Sequence, residues 1–345
     1  MNKPPYEIPT MQDIRATFDD LEHQYTVIST FSGAGGSSLG YRMANLKVLW
    51  ANEFIEEAQH TYLANHPNTI LDGRDIRQID PLEVLQKIGL DVGDLDILDG
   101  SPPCASFSVS GLVSEAWGQQ KKYSGKRQRT DDLFFEYIRF VEAMQPRIFV
   151  AENVQGMARG AAKGYFKLVM EALRGCGYKV AVRELNAAQL GVPQVRRRLI
   201  FVGVREDLGV EPRFPKPFPY YYTVRELLPH ITQVKNGGKP HNWSHSNKPS
   251  PTICQSDHNT GINAYRSGGG FITTDEGVIR RLTIEEVRVL CSFPPDFVLT
   301  GQYRHQWERM GRAVPPLMMR AIAREQRNLL GEVDGFEEQA KAMYG

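Results

Sequence analysis

The run Tyr25-Thr26-Val27-Ile28-Ser29-Thr30-Phe31-Ser32-Gly33-Ala34-Gly35-Gly36 decides the fold. Tyr25 to Phe31 is short, apolar and rich in β-branched residues, so it reads as a strand. The Gly-rich turn after it opens a helix from about Ser37. The same unit then recurs. Lys47 to Asn52 reads as a second strand ending at Glu53, with a helix through roughly Tyr62, and Asp75 and Ile76 mark the end of a third strand. Leu95 to Asp99 is another strand, Asp131 to Met144 a helix opened by a capping Asp, and Arg147 to Ala151 and Arg198 to Val204 are further strands. This alternation predicts a doubly wound α/β fold, a mostly parallel sheet with helices on both faces.

The rhythm breaks near residue 206. From there to about 279 the chain is rich in Pro, Gly, aromatics, His and Asn with weak periodicity, which predicts a second, smaller domain. Helical signals return at Thr283 to Leu290 and Pro315 to Leu330. The expected organisation is a first domain over 1–205, the small domain over 206–279, and a 280–345 segment that packs back on the first. No internal repeat is evident.

Composition narrows the function. A chain of 345 residues with 41% hydrophobic content supports a substantial core. No apolar run approaches a membrane span and no signal-peptide pattern is visible, so the expectation is a soluble cytoplasmic protein. The net charge of +1 attracts no polyanion by itself, so any nucleic-acid contact must come from local patches. Two stand out: Lys121, Lys122, Lys126, Arg127 and Arg129 in one loop, and Arg196-Arg197-Arg198. The four cysteines, Cys104, Cys176, Cys254 and Cys291, form no CxxC pair, so no metal site is expected. Cys176 and Cys291 sit among apolar neighbours and read as core residues, whereas Cys254 is open to either reading.

Cys104 differs. In Gly100-Ser101-Pro102-Pro103-Cys104-Ala105-Ser106-Phe107-Ser108 it follows a rigid Pro-Pro step at the end of a strand. Such a turn presents a side chain rather than continuing a ladder, as a directed nucleophile requires. The turn Phe31, Gly33, Gly35, Gly36 lets backbone approach a ligand closely. Glu53 stands where an acidic residue holds ribose hydroxyls in nucleotide-binding folds. Phe54 beside it can pack on a base, and with Asp75 and Ile76 these residues predict a nucleoside-containing cofactor at the strand ends.

Taken in order, the blocks resemble those of the C5-cytosine DNA methyltransferases: Phe31 to Gly40, Asn52-Glu53, Asp75-Ile76, Gly100 to Ser108, Asp132 to Glu136, Glu152-Asn153-Val154, Gln194 to Arg198, Arg281 to Pro294 and Gly311 to Pro316. The resemblance implies a Rossmann-like methyltransferase fold, S-adenosylmethionine as cofactor, double-stranded DNA as substrate, and a target-recognition domain over 206–279. It implies attack by Cys104 on cytosine C6, Glu152 as the acid at N3 and Arg198 at O2. It adds Pro102, Leu133, Arg312 and Ala313 to the cofactor side. Pro103, Ser108, Asn153, Arg196, Lys121, Lys122 and Arg127 join the DNA side. The target base must leave the stack, and Val109 to Thr130 has the composition of a closing loop. The implied setting is a monomer in a bacterial or phage-infected cytoplasm, as in restriction-modification systems. A tRNA cytosine methyltransferase would share the catalytic blocks, and a DNA-binding relic is the non-enzymatic alternative.

One block departs from the pattern. The family reads Gly-Asn-x-Val-Pro-Pro where this chain has Gly311-Arg312-Ala313-Val314-Pro315-Pro316. Arginine beside a sulfonium sets two cations together in a partly desolvated site. A carboxylate on the transferred group would relieve the clash by pairing with the guanidinium. This motivates an alternative, carboxymethyl transfer from carboxy-S-adenosylmethionine. If Arg312 instead turns to phosphate or solvent, the transferred group is methyl.

Overall fold

A computed structural model describes residues 3–19, 25–103, 121–123, 126–128, 133–235, 237, 241–258 and 269–344. The large sheet joins seven strands: β1 (Thr26–Thr30), β2 (Lys47–Asn52), β3 (Ile70–Asp72), β4 (Ile97–Gly100), β7 (Ile148–Val154), β8 (Tyr178–Asn186) and β9 (Arg197–Arg205). Their order is β3-β2-β1-β4-β7-β9-β8. The first five run parallel, while β9 is antiparallel to both neighbours. The α/β expectation stands, with one reversed strand, β9, between β7 and β8 that the sequence reading did not anticipate. β8 was not read as a strand at all; it mixes exposed and half-buried positions without clean alternation. Asp75 lies past the end of β3 and caps a short 3₁₀ turn at Ile76–Gln78, accepting from the Arg77 amide.

Between the strands run α2 (Gly36–Met43), α3 (Glu56–Asn65), α4 (Pro81–Ile88), α5 (Leu133–Met144) and α6 (Lys163–Gly175), after an N-terminal α1 (Met11–Asp19). The ends of α4 follow sequence logic: Asp80 caps it, Pro81 opens it and left-handed Gly89 stops it. Side-chain alternation splits the core into two layers. Val27, Val48, Ile97, Val150 and Val202 face one way, Ile28, Trp50, Leu98, Phe149 and Phe201 the other. The first face is covered by α2 and by the last helix, α10 (Pro316–Tyr344), whose closest approach is at Gly40. A Cβ there would lie 2.5 Å from Met319 Cβ and 2.7 Å from the Pro316 oxygen.

A second sheet, antiparallel, has the order β11-β10-β12-β13, from β10 (Ile231–Lys235), β11 (Trp243–His245), β12 (Phe271–Thr274) and β13 (Ile279–Arg281). A short helix, α7 (Val224–Leu227), precedes it, and α8 (Ile284–Leu290) and α9 (Tyr303–Arg312) lead back to α10. Capping boxes start α7 at Thr223/Glu226 and α8 at Thr283/Glu286. A two-stranded hairpin, β5 (Lys121–Tyr123) with β6 (Lys126–Gln128), stands apart. Among the described residues no helix is long and apolar enough to cross a membrane.

Candidate active site

The strand ends of β1, β2, β4 and β7 open on one cleft of about 580 Å³. Parallel strands all present their carboxyl ends to the same edge, which is why residues from distant blocks converge there. Phe31, Gly33, Gly36, Glu53, Phe54, Asp75 and Ile76 line one end of it. The turn that carries the first of these is tightly wound, with Phe31 at φ 53° and Gly33 at φ 58°. A non-glycine residue held in the left-handed region marks a turn shaped by its surroundings. Gly35 does not line the cleft; it caps α2 at φ 88°, and a Cβ on it would collide with the buried ring of His66.

Glu53 is buried, and its carboxylate accepts from the Gly33 amide at 2.8 Å and the Ile55 amide at 2.6 Å. Burial raises its pKa, against the pull of those amides and of the Arg309 and Arg312 charges. Asn52 ties the neighbouring strand ends together, donating to the carbonyls of Asp72 and Arg74. The result is a rigid, partly acidic cradle behind a glycine turn, a fit for a nucleoside with free hydroxyls.

Across the cleft lie Pro102, Pro103, Leu133, Glu152, Asn153, Arg196 and Arg198. Glu152 and Arg198 form an ion pair, Oε1 to Nε at 2.7 Å, with only 12% and 16% of their side chains exposed. Asn153 donates to the Pro102 carbonyl at 3.2 Å and so holds the Pro-Pro turn against β7. Cys104, the next residue but one, and Ser108 lie outside the described residues, as does most of Val109 to Thr130. Lys121 and Lys122 fall on β5 and Arg127 on β6.

The three arginines divide as strand alternation predicts. Arg197 points outward to Glu184, while Arg196 and Arg198 line the cleft. Arg196 is buried and braces its surroundings, donating to the carbonyls of Gly311 at 3.1 Å, Arg312 at 3.2 Å and Ile253 at 3.4 Å. Burial, then the nearby Arg198 charge, pull its pKa down to about 10. Residues 250–257 are drawn in with it: Val195 donates to the Ser250 carbonyl, Thr252 Oγ1 to the Val195 carbonyl, and Trp307 Nε1 to the Cys254 carbonyl. Thr252, Cys254, Gln255 and Ser256 thereby become a wall of the cleft, as does Arg309. The sequence reading missed these residues: it placed 252–256 in the 206–279 domain and named no site residue there. Cys254 is exposed in this wall rather than buried in the core. Arg312 and Ala313 complete the rim, Arg312 Nε donating to Gln255 Oε1.

Comparison with known proteins agrees with this layout. A family model for C-5 cytosine-specific DNA methylases matches residues 25–242 and 230–328. The type II methyltransferase M1.HphI of Haemophilus parahaemolyticus is 31% identical over 340 residues, covering 86% of this chain and 85% of its own. M.NgoPII of Neisseria gonorrhoeae is 29% identical, covering 86% and 94%. Among solved structures, a mutant of Spodoptera frugiperda DNMT2 superposes with a TM-score of 0.65 at 18% identity, covering 89% of this chain and all of that one. S. pombe Dnmt2 methyltransferase does so at 0.62 and 15%, covering 90% and 99%. Matched along most of its length by sequence and by fold, the chain belongs to the C-5 cytosine-specific DNA methylase family.

Proposed function

We propose that this protein methylates cytosine at carbon 5 in duplex DNA, using S-adenosylmethionine, with Cys104 as nucleophile. The observation that carries the reading is the Glu152–Arg198 pair, facing a cleft that also holds the Pro102-Pro103 step and the Gly33–Glu53 cradle. Carbon 5 of cytosine is a weak nucleophile. A thiolate that bonds to C6 pushes electrons toward N3 and O2 and makes C5 reactive. Glu152 carries a proton to N3, and Arg198 stabilises the charge on O2. The activated C5 takes the new carbon as that carbon's bond to its sulfur carrier breaks, water takes the C5 proton, and elimination of the thiolate with return of the N3 proton restores the ring. S-adenosylmethionine would supply the electrophilic carbon when bound; Glu53 would hold its ribose hydroxyls, and Phe31, Phe54 and Ile76 would hold its base. Asn153 holds the nucleophile's turn, and Arg196 holds the opposite wall.

The base reaches this cleft only by leaving the duplex. The small sheet of β10 to β13, all but its last strand within the 206–279 region, belongs to the recognition domain, and the basic hairpin of Lys121, Lys122 and Arg127 contacts phosphates.

A second reading, carboxymethyl transfer, is favoured by one observation: Arg312 is among the residues that line the cleft, where its Nε donates to Gln255 Oε1. Against it, Glu53 already supplies a negative charge near that guanidinium. One experiment separates them. The enzyme is incubated with cytosine-containing duplex and either S-adenosylmethionine or its carboxylated analogue, and the nucleosides are weighed by mass spectrometry. Mainly 5-methylcytosine is expected, abolished in Cys104→Ser. A carboxymethyl product lost in Arg312→Asn would favour the second reading. Modification of tRNA but not of duplex, or of neither, would overturn both.

A further inference from the structure

The small sheet has two faces, and the core uses only one of them. β10 bulges between Ile231 and Gln233, so Ile231 and Val234 both turn inward with Ile272 of β12. Arg280 of β13 lies on that inner side and grips Glu286 of α8 with both ends of its guanidinium, at 2.8 Å and 2.7 Å.

The outer face carries two rows of side chains that cross the strands, because directly opposed residues of antiparallel strands share a face. The first row is Trp243, Lys235, Phe271 and Arg281, set by the Lys235–Trp243 and Phe271–Arg281 pairs and by continuing the β10–β12 register. This row is packed on itself. The Lys235 ammonium is 5.9 Å from the centre of the Trp243 ring, and the Arg281 guanidinium 4.5 Å from that of Phe271. It also abuts the cleft. Arg281 donates to the Asp257 carbonyl, and a Cβ on Gly270, the residue before Phe271, would lie 2.7 Å from the Trp307 ring. Trp307 in turn holds the Cys254 carbonyl of the cleft wall.

The second row stands one step further along the strands: His245, Gln233, Thr273 and Ile279. His245, Gln233 and Ile279 are exposed, and Thr273 is half-buried. His245 Nδ1 accepts from the Asn247 amide at 3.2 Å, so the ring carries its proton on Nε2 and offers a donor there. The Gln233 amide, a donor beside an acceptor, enters no hydrogen bond among the described residues. With strands about 4.8 Å apart the row spans roughly 14 Å, or about four base-pair steps of roughly 3.4 Å. Neither row contains a carboxylate, which a phosphate backbone would repel.

We propose that the second row reads the base pairs beside the target cytosine, with Gln233 as a specificity-determining residue whose amide pairs with an adenine. This rests on the reading of the small sheet as part of a recognition domain. The chemistry of the row matches what base edges offer: a glutamine amide fits N6 and N7 of adenine, an imidazole N–H the acceptors of guanine, and an aliphatic branch the methyl of thymine. The first row lies between the cleft wall and the second. A duplex with its cytosine in the cleft therefore sets neighbouring pairs over Gln233 and His245.

The test uses the full-length enzyme and a duplex library with a central cytosine and randomised flanking bases. Sequencing the bound fraction reads binding, and sequencing the modified fraction reads transfer. The wild type enriches an A·T pair at one fixed distance from the cytosine. In Gln233→Ala the preference at that pair falls by about tenfold or more. Preferences at other pairs, and the Kd for S-adenosylmethionine by calorimetry, stay within about twofold of wild type. In Gln233→Glu the preferred pair becomes C·G, because a carboxylate accepts from the cytosine amino group. Should Gln233→Ala fail to fold, Gln233→Glu decides alone. Unchanged preferences in both variants overturn the proposal, and so does an equal loss at every pair, which marks a phosphate contact or a packing role. A wild type without preference at any pair overturns it too. A wild type that enriches a site yet modifies no cytosine sinks the methyltransferase reading, and the bound fraction still judges the row.

Discussion

Gly311→Ala adds one methyl group where the cleft has no room for it. Gly311 is buried in α9, and a Cβ on it would lie 2.7 Å from the Gln255 amide nitrogen, 2.8 Å from Gln255 Cα and 2.9 Å from the Cys254 carbonyl carbon. All three are main-chain atoms, so no side chain can swing aside. Reaching an ordinary 3.4 Å contact means moving residues 254–255 by roughly 0.7 Å. That segment is pinned by Trp307 Nε1 on the Cys254 carbonyl, by Asp257 on the Cys254 amide at 2.8 Å, and by Arg196 on the Ile253 carbonyl. Overpacking of this kind costs about 1–3 kcal/mol, and each strained hydrogen bond adds about 1 kcal/mol. Alanine recovers about 0.5–1 kcal/mol of helix propensity. The net expectation is a loss of about 2–3 kcal/mol, seen as a Tm lower by several degrees. Displacement of the wall that bears Gln255 and Arg312 also cuts kcat/KM for DNA, by about tenfold or more. The control is Gly331→Ala in α10, where a Cβ meets only Tyr25 OH at 3.8 Å. It is expected to be neutral or slightly stabilising. Thermal unfolding and steady-state transfer kinetics on both variants check this. If Gly311→Ala melts and turns over like Gly331→Ala, the tight contact between α9 and the 254–255 wall is not part of the working enzyme.

Two other perturbations read the scaffold around the site. His66 is buried with both ring nitrogens lacking a hydrogen-bond partner, and burial, then the Arg42 charge, hold its pKa well below the ordinary 6.5. The folded state keeps it neutral while the unfolded chain takes up a proton below pH 6.5, so stability is lost as pH falls, by about 1.4 kcal/mol per pH unit. His66→Gln should flatten that slope in urea unfolding, and an unchanged slope would assign the acid sensitivity elsewhere. At the N-terminus, Tyr6 packs edge-on against Tyr222 at 4.8 Å, and Tyr222 donates to the Pro4 carbonyl at 3.0 Å, tying residues 3–10 to the chain ahead of the small sheet. Tyr6→Ala, which removes an aromatic pair worth about 0.5–1.5 kcal/mol beyond its buried area, should raise the DNA Kd severalfold in fluorescence anisotropy and leave cofactor binding by calorimetry unchanged. Equal losses of both would mean general destabilisation.

Much of this molecule was open to reading because its parts are local. The β-branched run before the glycine turn and the helix after it were read because they concern close neighbours, where backbone propensity decides the outcome. The Asp80-Pro81 start of α4 and the Thr-x-x-Glu boxes are equally local, although the sequence reading named neither. The Arg196/Arg198 against Arg197 division followed from the pleat alone. The antiparallel β8 escaped because an edge strand with one half-wet face carries no firm periodicity. The 250–257 wall escaped because nothing in Thr252-Ile253-Cys254-Gln255 tells which element, tens of residues away, it will touch.

The order of blocks and the residue types within them were enough, from sequence alone, to show a resemblance to the C5-cytosine DNA methyltransferases, and that resemblance nominated an acid and an arginine to act beside a Pro-Pro-Cys turn. Such information is carried by near neighbours along the chain. Tertiary structure alone decided that Arg196 spends its guanidinium on carbonyls 57 to 116 residues away, that Gly35 serves packing against His66, and that Gln233 shares a sheet face with His245. Those facts depend on which strands become neighbours and on how much water is left between them, and burial, not composition, sets the charge a side chain can hold.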